Sequence, residues 1–234
     1  MKRPSYHGFT LLELLVVISV IAVLAALLFS VFPSVSAQGK QARSMQNLKT
    51  IGVGLAQYVG EHGHLPESAI SCTFQGKSVN FWYNAIGTYI EGDGYLDQWE
   101  KRAERPRWQE CPGRPFEQFA TLWSRGISVG YGWNHLEFGY DGQEASKAKY
   151  GFAFRPQQVS HPAATVIIGT NRETNDAGIP IPYDSSSNVL VYRNKPDSSR
   201  FNGAGLYLML DGHIERLTPA DAAANDSYLF RRIK

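Results

Sequence analysis

The stretch GFTLLELLVVISVIAVLAALLFSVF, residues 8–32, decides how the rest of the chain is read. From Leu14 to Phe32 its nineteen residues are apolar except for Ser19 and Ser30. At ~1.5 Å per residue a helix of that length reaches roughly 28 Å, enough to cross the hydrocarbon core of a bilayer. Between Pro4 and Gly39 the only formal charge is Glu13. Lys2 and Arg3 precede the run, so the positive-inside rule keeps the N-terminus cytoplasmic and places the remainder of the chain, beyond the span, outside. A secretory signal peptide has a shorter apolar region of about 7–15 residues, although Val35-Ser36-Ala37 has the small residues of a cleavage site. A plain signal anchor fits the length but leaves Glu13 unexplained, because a carboxylate at mid-membrane costs about 2.5–3.5 kcal/mol.

Outward from this span, the composition excludes several classes. Of 234 residues, 43% are hydrophobic and 19% charged, which excludes a disordered or collagen-like chain. The net charge of +2 comes with no basic patch, so no nucleic-acid partner is expected. Two cysteines cannot build a disulfide-dense scaffold or a four-thiolate zinc site. The sequence holds no Gly-rich phosphate loop, Gly-x-Ser-x-Gly elbow or zinc-protease helix, so it is not read as an enzyme.

The helical pattern continues past the apolar run. Met45, Leu48, Ile51, Leu55 and Tyr58 keep to steps of 3, 3, 4 and 3 and line one helical face, while Lys40, Arg43, Gln46 and Lys49 lie mostly elsewhere. Pro33 and Gly39 are kink or thinning points, and Gly60, Gly63 and Pro66 end the pattern. The reading is one helix over about residues 9–59, ~75 Å long at standard rise. An ordinary amphipathic core helix over residues 40–59 fits the same pattern. Short strands are expected at Thr165–Gly169 and Val189–Arg193, where β-branched residues concentrate. Near the end, Leu206–Leu210 and His213–Leu217 flank Asp211-Gly212, which reads as a two-residue type I′ hairpin. That register sets Leu210 opposite His213, Leu208 opposite Glu215 and Leu206 opposite Leu217, with Met209 and Ile214 on the other face. The fold class is therefore α+β, a long N-terminal helix packed on a small, mainly antiparallel sheet.

Gly8-Phe9-Thr10-Leu11-Leu12-Glu13 resembles the processing motif of type IV pilins and type II secretion pseudopilins. The match joins a short basic leader, a glycine, a phenylalanine and a glutamate at the fifth position after the cut. The resemblance implies cleavage between Gly8 and Phe9 by a prepilin peptidase, methylation of the Phe9 amine by the same enzyme, and a role for Glu13 in assembly. It also implies a leader at 1–8, a transmembrane helix at 9–32, an amphipathic extension at 33–60 and a periplasmic or extracellular head at 61–234. The chain would sit once through the inner membrane and be extracted into a filament on assembly. Its partners would be copies of itself or other pseudopilins, the peptidase, and an inner-membrane assembly platform. Lys2 and Arg3 leave with the leader, so the 23 basic side chains fall to 21, equal to the 21 acidic ones. The basic excess is thus an orientation signal.

A second resemblance is looser. Arg200-Phe201-Asn202-Gly203 through Asp211-Gly212-His213-Ile214-Glu215 is similar to the tail of a prepilin-like family expanded in planctomycetes, with Phe201 where that family has histidine. Cys111-Pro112, Tyr131-Gly132-Trp133-Asn134 and His161-Pro162-Ala163-Ala164-Thr165 extend the similarity. Major pseudopilins often carry structural calcium near the C-terminus, which makes Asp176, Asp184, Asn188, Asp197 and Asp211 candidate donors, although no EF-hand-like spacing is present. No other cofactor is expected.

Three further groups have two readings each. Glu61, His62 and His64 can hold a metal or stay solvated. Phe81, Trp82, Tyr83, Trp99, Trp108, Trp123, Tyr131 and Trp133 can form the core of a loop-rich head. They can also form a binding platform, for example for polysaccharide, on a membrane-tethered module. Cys72 and Cys111 can bridge outside the cytoplasm or remain thiols.

Overall fold

In a computed structural model the described residues are 9–66, 69–74, 77–96, 106–112, 131–134, 155–170, 201–218 and 220–221. Expected features at Val189–Arg193, Trp99, Trp123, Asp176, Asp184, Asn188 and Asp197 lie outside them. The chain divides into two compact units, Met1–Gly39 and Lys40–Lys234.

The first unit is built on the start of helix α1, Leu11–His62, which runs without a break through Pro33 and Gly39. Apart from Glu13 and Ser19, Leu11–Phe29 is apolar on every side, and none of it is buried. A helix with no polar face suits a lipid surround rather than a water-facing one.

The second unit begins with the remainder of α1. Leu48, Ile51, Leu55 and Tyr58 are buried and Met45 packs against them, while Lys40, Arg43, Gln46 and Lys49 are exposed or only partly covered. The period-3.6 reading therefore assigned the correct face. The helix outlasts Gly60 and stops at Gly63, whose φ of +73° permits its N–H to donate to the Val59 carbonyl at 2.7 Å. Strands β1 (Ala69–Phe74) and β2 (Lys77–Phe81) pair antiparallel and lead into helix α2, Trp82–Glu91. A four-stranded antiparallel sheet comes next, in the order β3 (Tyr131–Trp133), β4 (Val166–Thr170), β5 (Gly205–Met209) and β6 (Ile214–Leu217). This is the α+β layout expected.

Strand β5 is buried on both faces, and alternation divides its side chains. Leu206 and Leu208 join the main core with α1, Trp82, Tyr83, Ile86, Tyr131 and Trp133. Tyr207 and Met209 join Val166 and Leu217 in a second cluster. A register shift between Val166 and Ile168 lets the adjacent Ile167 and Ile168 both enter the main core. Phe201 is also a core residue at 1% exposure.

The β5–β6 hairpin differs from the expected one. Leu206 faces Arg216, Tyr207 faces Glu215 and Leu208 faces Ile214, one residue off the predicted register. A type I′ turn needs positive φ at both central residues. Among the described residues Gly212 has it (φ +93°) and Asp211 does not. The loop is instead built around Leu210, Asp211 and Gly212. The Met209 N–H donates to the His213 carbonyl at 2.8 Å, and the Gly212 N–H donates to the Met209 carbonyl at 2.9 Å. A one-residue slip exchanges the faces of a strand, which is why Leu217 lies with Tyr207 and Met209.

Gly87 offers a direct test of the packing. A Cβ there would collide with the Tyr95 ring, which is 1% exposed and whose hydroxyl accepts a bond from Gln109 Nε2 at 3.0 Å. Gly87→Ala must push that ring out of the core and is expected to cost about 1–3 kcal/mol. Thermal unfolding of the full chain in detergent checks this: an unchanged midpoint would contradict the packing described.

Candidate processing and assembly site

Gly8, with the rest of residues 1–8, lies outside the described residues. Phe9 and Thr10 precede the helix, and Phe9 is 80% exposed. Thr10 is the N-cap and Glu13 its reciprocal partner. Glu13 Oε2 accepts from the Thr10 backbone N–H and from Thr10 Oγ1, each at 2.8 Å, while Thr10 Oγ1 accepts from the Glu13 N–H at 3.2 Å. Thr10-Leu11-Leu12-Glu13 is thus a capping box that satisfies backbone donors otherwise left open at a helix start. Glu13 is not uncompensated in the single chain, and Thr10 is the residue that sequence reasoning missed. The Thr-x-x-Glu spacing was the available signal.

The other candidates lie in the second unit. Cys111 is buried, its Sγ 3.8 Å from Ser44 Oγ. The side chain of Cys72, on β1, lies outside the described residues, and with it the question of a bridge. Around Cys111 the α1 side chains hold segment 106–112. Asn47 Nδ2 donates to the Arg107 and Glu110 carbonyls at 3.0 and 2.6 Å, and Arg43 pairs with Glu110 at 3.6 Å. Ser44 and Tyr131 share a hydroxyl–hydroxyl bond of 2.9 Å. Trp82, Tyr83, Trp108, Tyr131 and Trp133 are buried, so these aromatic residues belong to the core and form no exposed platform.

Asp211 Oδ1 accepts from the His213 backbone N–H at 3.1 Å and contacts His213 Nδ1 at 2.6 Å. Burial works to raise the Asp211 carboxyl, but the bonds from His213 outweigh it and hold the group below its ordinary range. Asp211 is therefore engaged in closing its own turn. At the end of α1, the Tyr89 hydroxyl donates to Glu61 Oε2 at 2.7 Å and contacts His62 Nε2 at 3.0 Å. Burial, and after it the Glu61 carboxylate, push the Tyr89 hydroxyl well above the ordinary phenol value. No group of three or more His, Cys, Asp or Glu poised for a metal is found among the described residues.

The prokaryotic N-terminal methylation motif matches residues 3–29. Those residues contain most of the leader, the Gly8–Phe9 bond, the capping box and most of the exposed apolar helix. The match supports a prepilin-type chain, a pilin-like structural subunit and not an enzyme, processed by a prepilin peptidase. The apolar helix is consistent with the single-pass membrane anchor that such chains carry. Compared in full, the chain matches no curated protein and no solved structure.

Proposed function

We propose that this chain is a pseudopilin-like subunit of a type II secretion pseudopilus or a type IV pilus-like filament. The observation that carries the reading is the coincidence of the methylation motif at 3–29 with a helix, Leu11–Phe29, that is apolar on every side and carries the single charge of Glu13. In this reading the peptidase removes residues 1–8 and methylates Phe9. Residues 9–32 hold the chain in the inner membrane, residues 33–60 extend the helix, and residues 61–234 form a periplasmic head. Glu13 guides assembly with copies of itself or other pseudopilins on an inner-membrane platform. The head's sequence similarity to the planctomycete prepilin-like family supports the same assignment. Shearing cells that overproduce the protein tests it: the subunit should be recovered in the fibre fraction. Complete retention with the membrane would indicate a tethered module instead.

A further inference from the structure

We propose that His213 and Glu215 form an open binding site for a divalent cation of the Zn²⁺ class, with Asp211 orienting the histidine. The β5–β6 hairpin brings the three side chains together. His213 immediately precedes β6, and its carbonyl accepts from the Met209 N–H at 2.8 Å, which ties it to the end of β5. Glu215 follows on β6, opposite Tyr207. Residues two apart along an extended chain share a face. Here their side chains meet, with His213 Nε2 standing 3.9 Å from Glu215 Oε2. Each of the two side chains is 45% exposed, so ions in solution reach the pair.

Asp211 sets the donor chemistry. Its Oδ1 contacts His213 Nδ1 at 2.6 Å, and an ionised carboxylate only accepts, so Nδ1 carries the proton. The lone pair of the neutral ring is then on Nε2, the nitrogen turned toward Glu215. The same Asp211 oxygen accepts from the His213 backbone N–H at 3.1 Å, which anchors the carboxylate to the turn. This is the arrangement that fixes the tautomer of a ligating histidine, holds its ring and raises its basicity. The 3.9 Å between Nε2 and Oε2 is too long for a hydrogen bond. Around a tetrahedral cation with bonds of ~2.0–2.1 Å, two donors sit roughly 3.4 Å apart. Closure by about 0.5 Å reaches that spacing, a small torsion for an exposed glutamate side chain. Water completes the coordination, as it does in open zinc sites. One nitrogen and one carboxylate fall far short of the six to eight oxygens that Ca²⁺ takes, which sets the selectivity.

The test is NMR of the untagged full chain in detergent, labelled with ¹⁵N in histidine and titrated with ZnCl₂ at neutral pH. The His213 signals are assigned by their loss in His213→Gln. A saturable shift of His213 Nε2 is expected, with no response of that nitrogen to CaCl₂. Glu215→Gln should weaken Zn²⁺ binding at least tenfold. Glu215→His, which supplies an imidazole in place of the carboxylate, should bind at least as tightly as the parent chain. Both substitutions fall on an exposed side chain and leave the Asp211 turn intact. An unchanged Nε2 signal would show a plain ion pair and overturn the proposal. So would Glu215→Gln titrating as the parent does, or Glu215→His failing to bind. These outcomes are read at one nitrogen and are independent of whether the chain enters fibres.

Discussion

Glu13→Val inserts into the membrane and loses its leader as the parent chain does, yet its recovery in sheared fibres falls to background. Glu13 lies four residues beyond the proposed cut, in the first turn of the helix that starts at Leu11. Within one chain the carboxylate is already held by the Thr10 N–H and hydroxyl; in the proposed fibre its partner is the amine of a neighbouring subunit. Staggered packing then neutralises two charges that lipid tolerates poorly and sets the axial register. The capping box adds a competing explanation, because Glu13 also satisfies the helix start through Thr10. Glu13→Gln separates the two, since glutamine serves at the third helical position of a capping box but carries no charge. The pairing account has Glu13→Gln fail in assembly as Glu13→Val does. Normal fibre yield from glutamine would show that capping is the role of Glu13, and normal yield from valine would remove any role in assembly.

Gly8→Val is expected to block processing almost completely while leaving insertion intact. The apolar span and the orienting Lys2 and Arg3 are untouched by the change, so the chain still enters the membrane with the same topology. The change falls on the residue beside the proposed scissile bond, where a β-branched side chain replaces none. The uncleaved chain keeps its leader and lacks the free Phe9 amine, so it should also be absent from fibres. Normal cleavage of Gly8→Val would place the processing point elsewhere.

The features legible in the sequence were those with a periodic signal. The α1 face of Leu48, Ile51, Leu55 and Tyr58 repeats at the helical period and was readable residue by residue. The polar side chains buried beside it were not. Ser44 and Asn47 look solvent-facing in sequence, and their partners Tyr131, Arg107 and Glu110 are 60 or more residues away. The β5–β6 hairpin was recognisable from Asp211-Gly212, but its register was not. Asp-Gly serves both a two-residue turn and a three-residue turn closed by a left-handed glycine. The choice depends on whether Asp211 crosses to positive φ, and here it stays on the ordinary side while its carboxylate closes the turn through His213. Thr10 was missed for a different reason. Glu13 was weighed as a charge in lipid, although Thr-x-x-Glu also spells a local cap.

Processing of this chain as a prepilin can be read from the intact mass of the protein purified from cell membranes. The expected chain begins at Phe9 and is heavier than the unmodified sequence from Phe9 onward by one methyl group on its N-terminal amine. A chain that begins at Met1, or after Ala37, would contradict it.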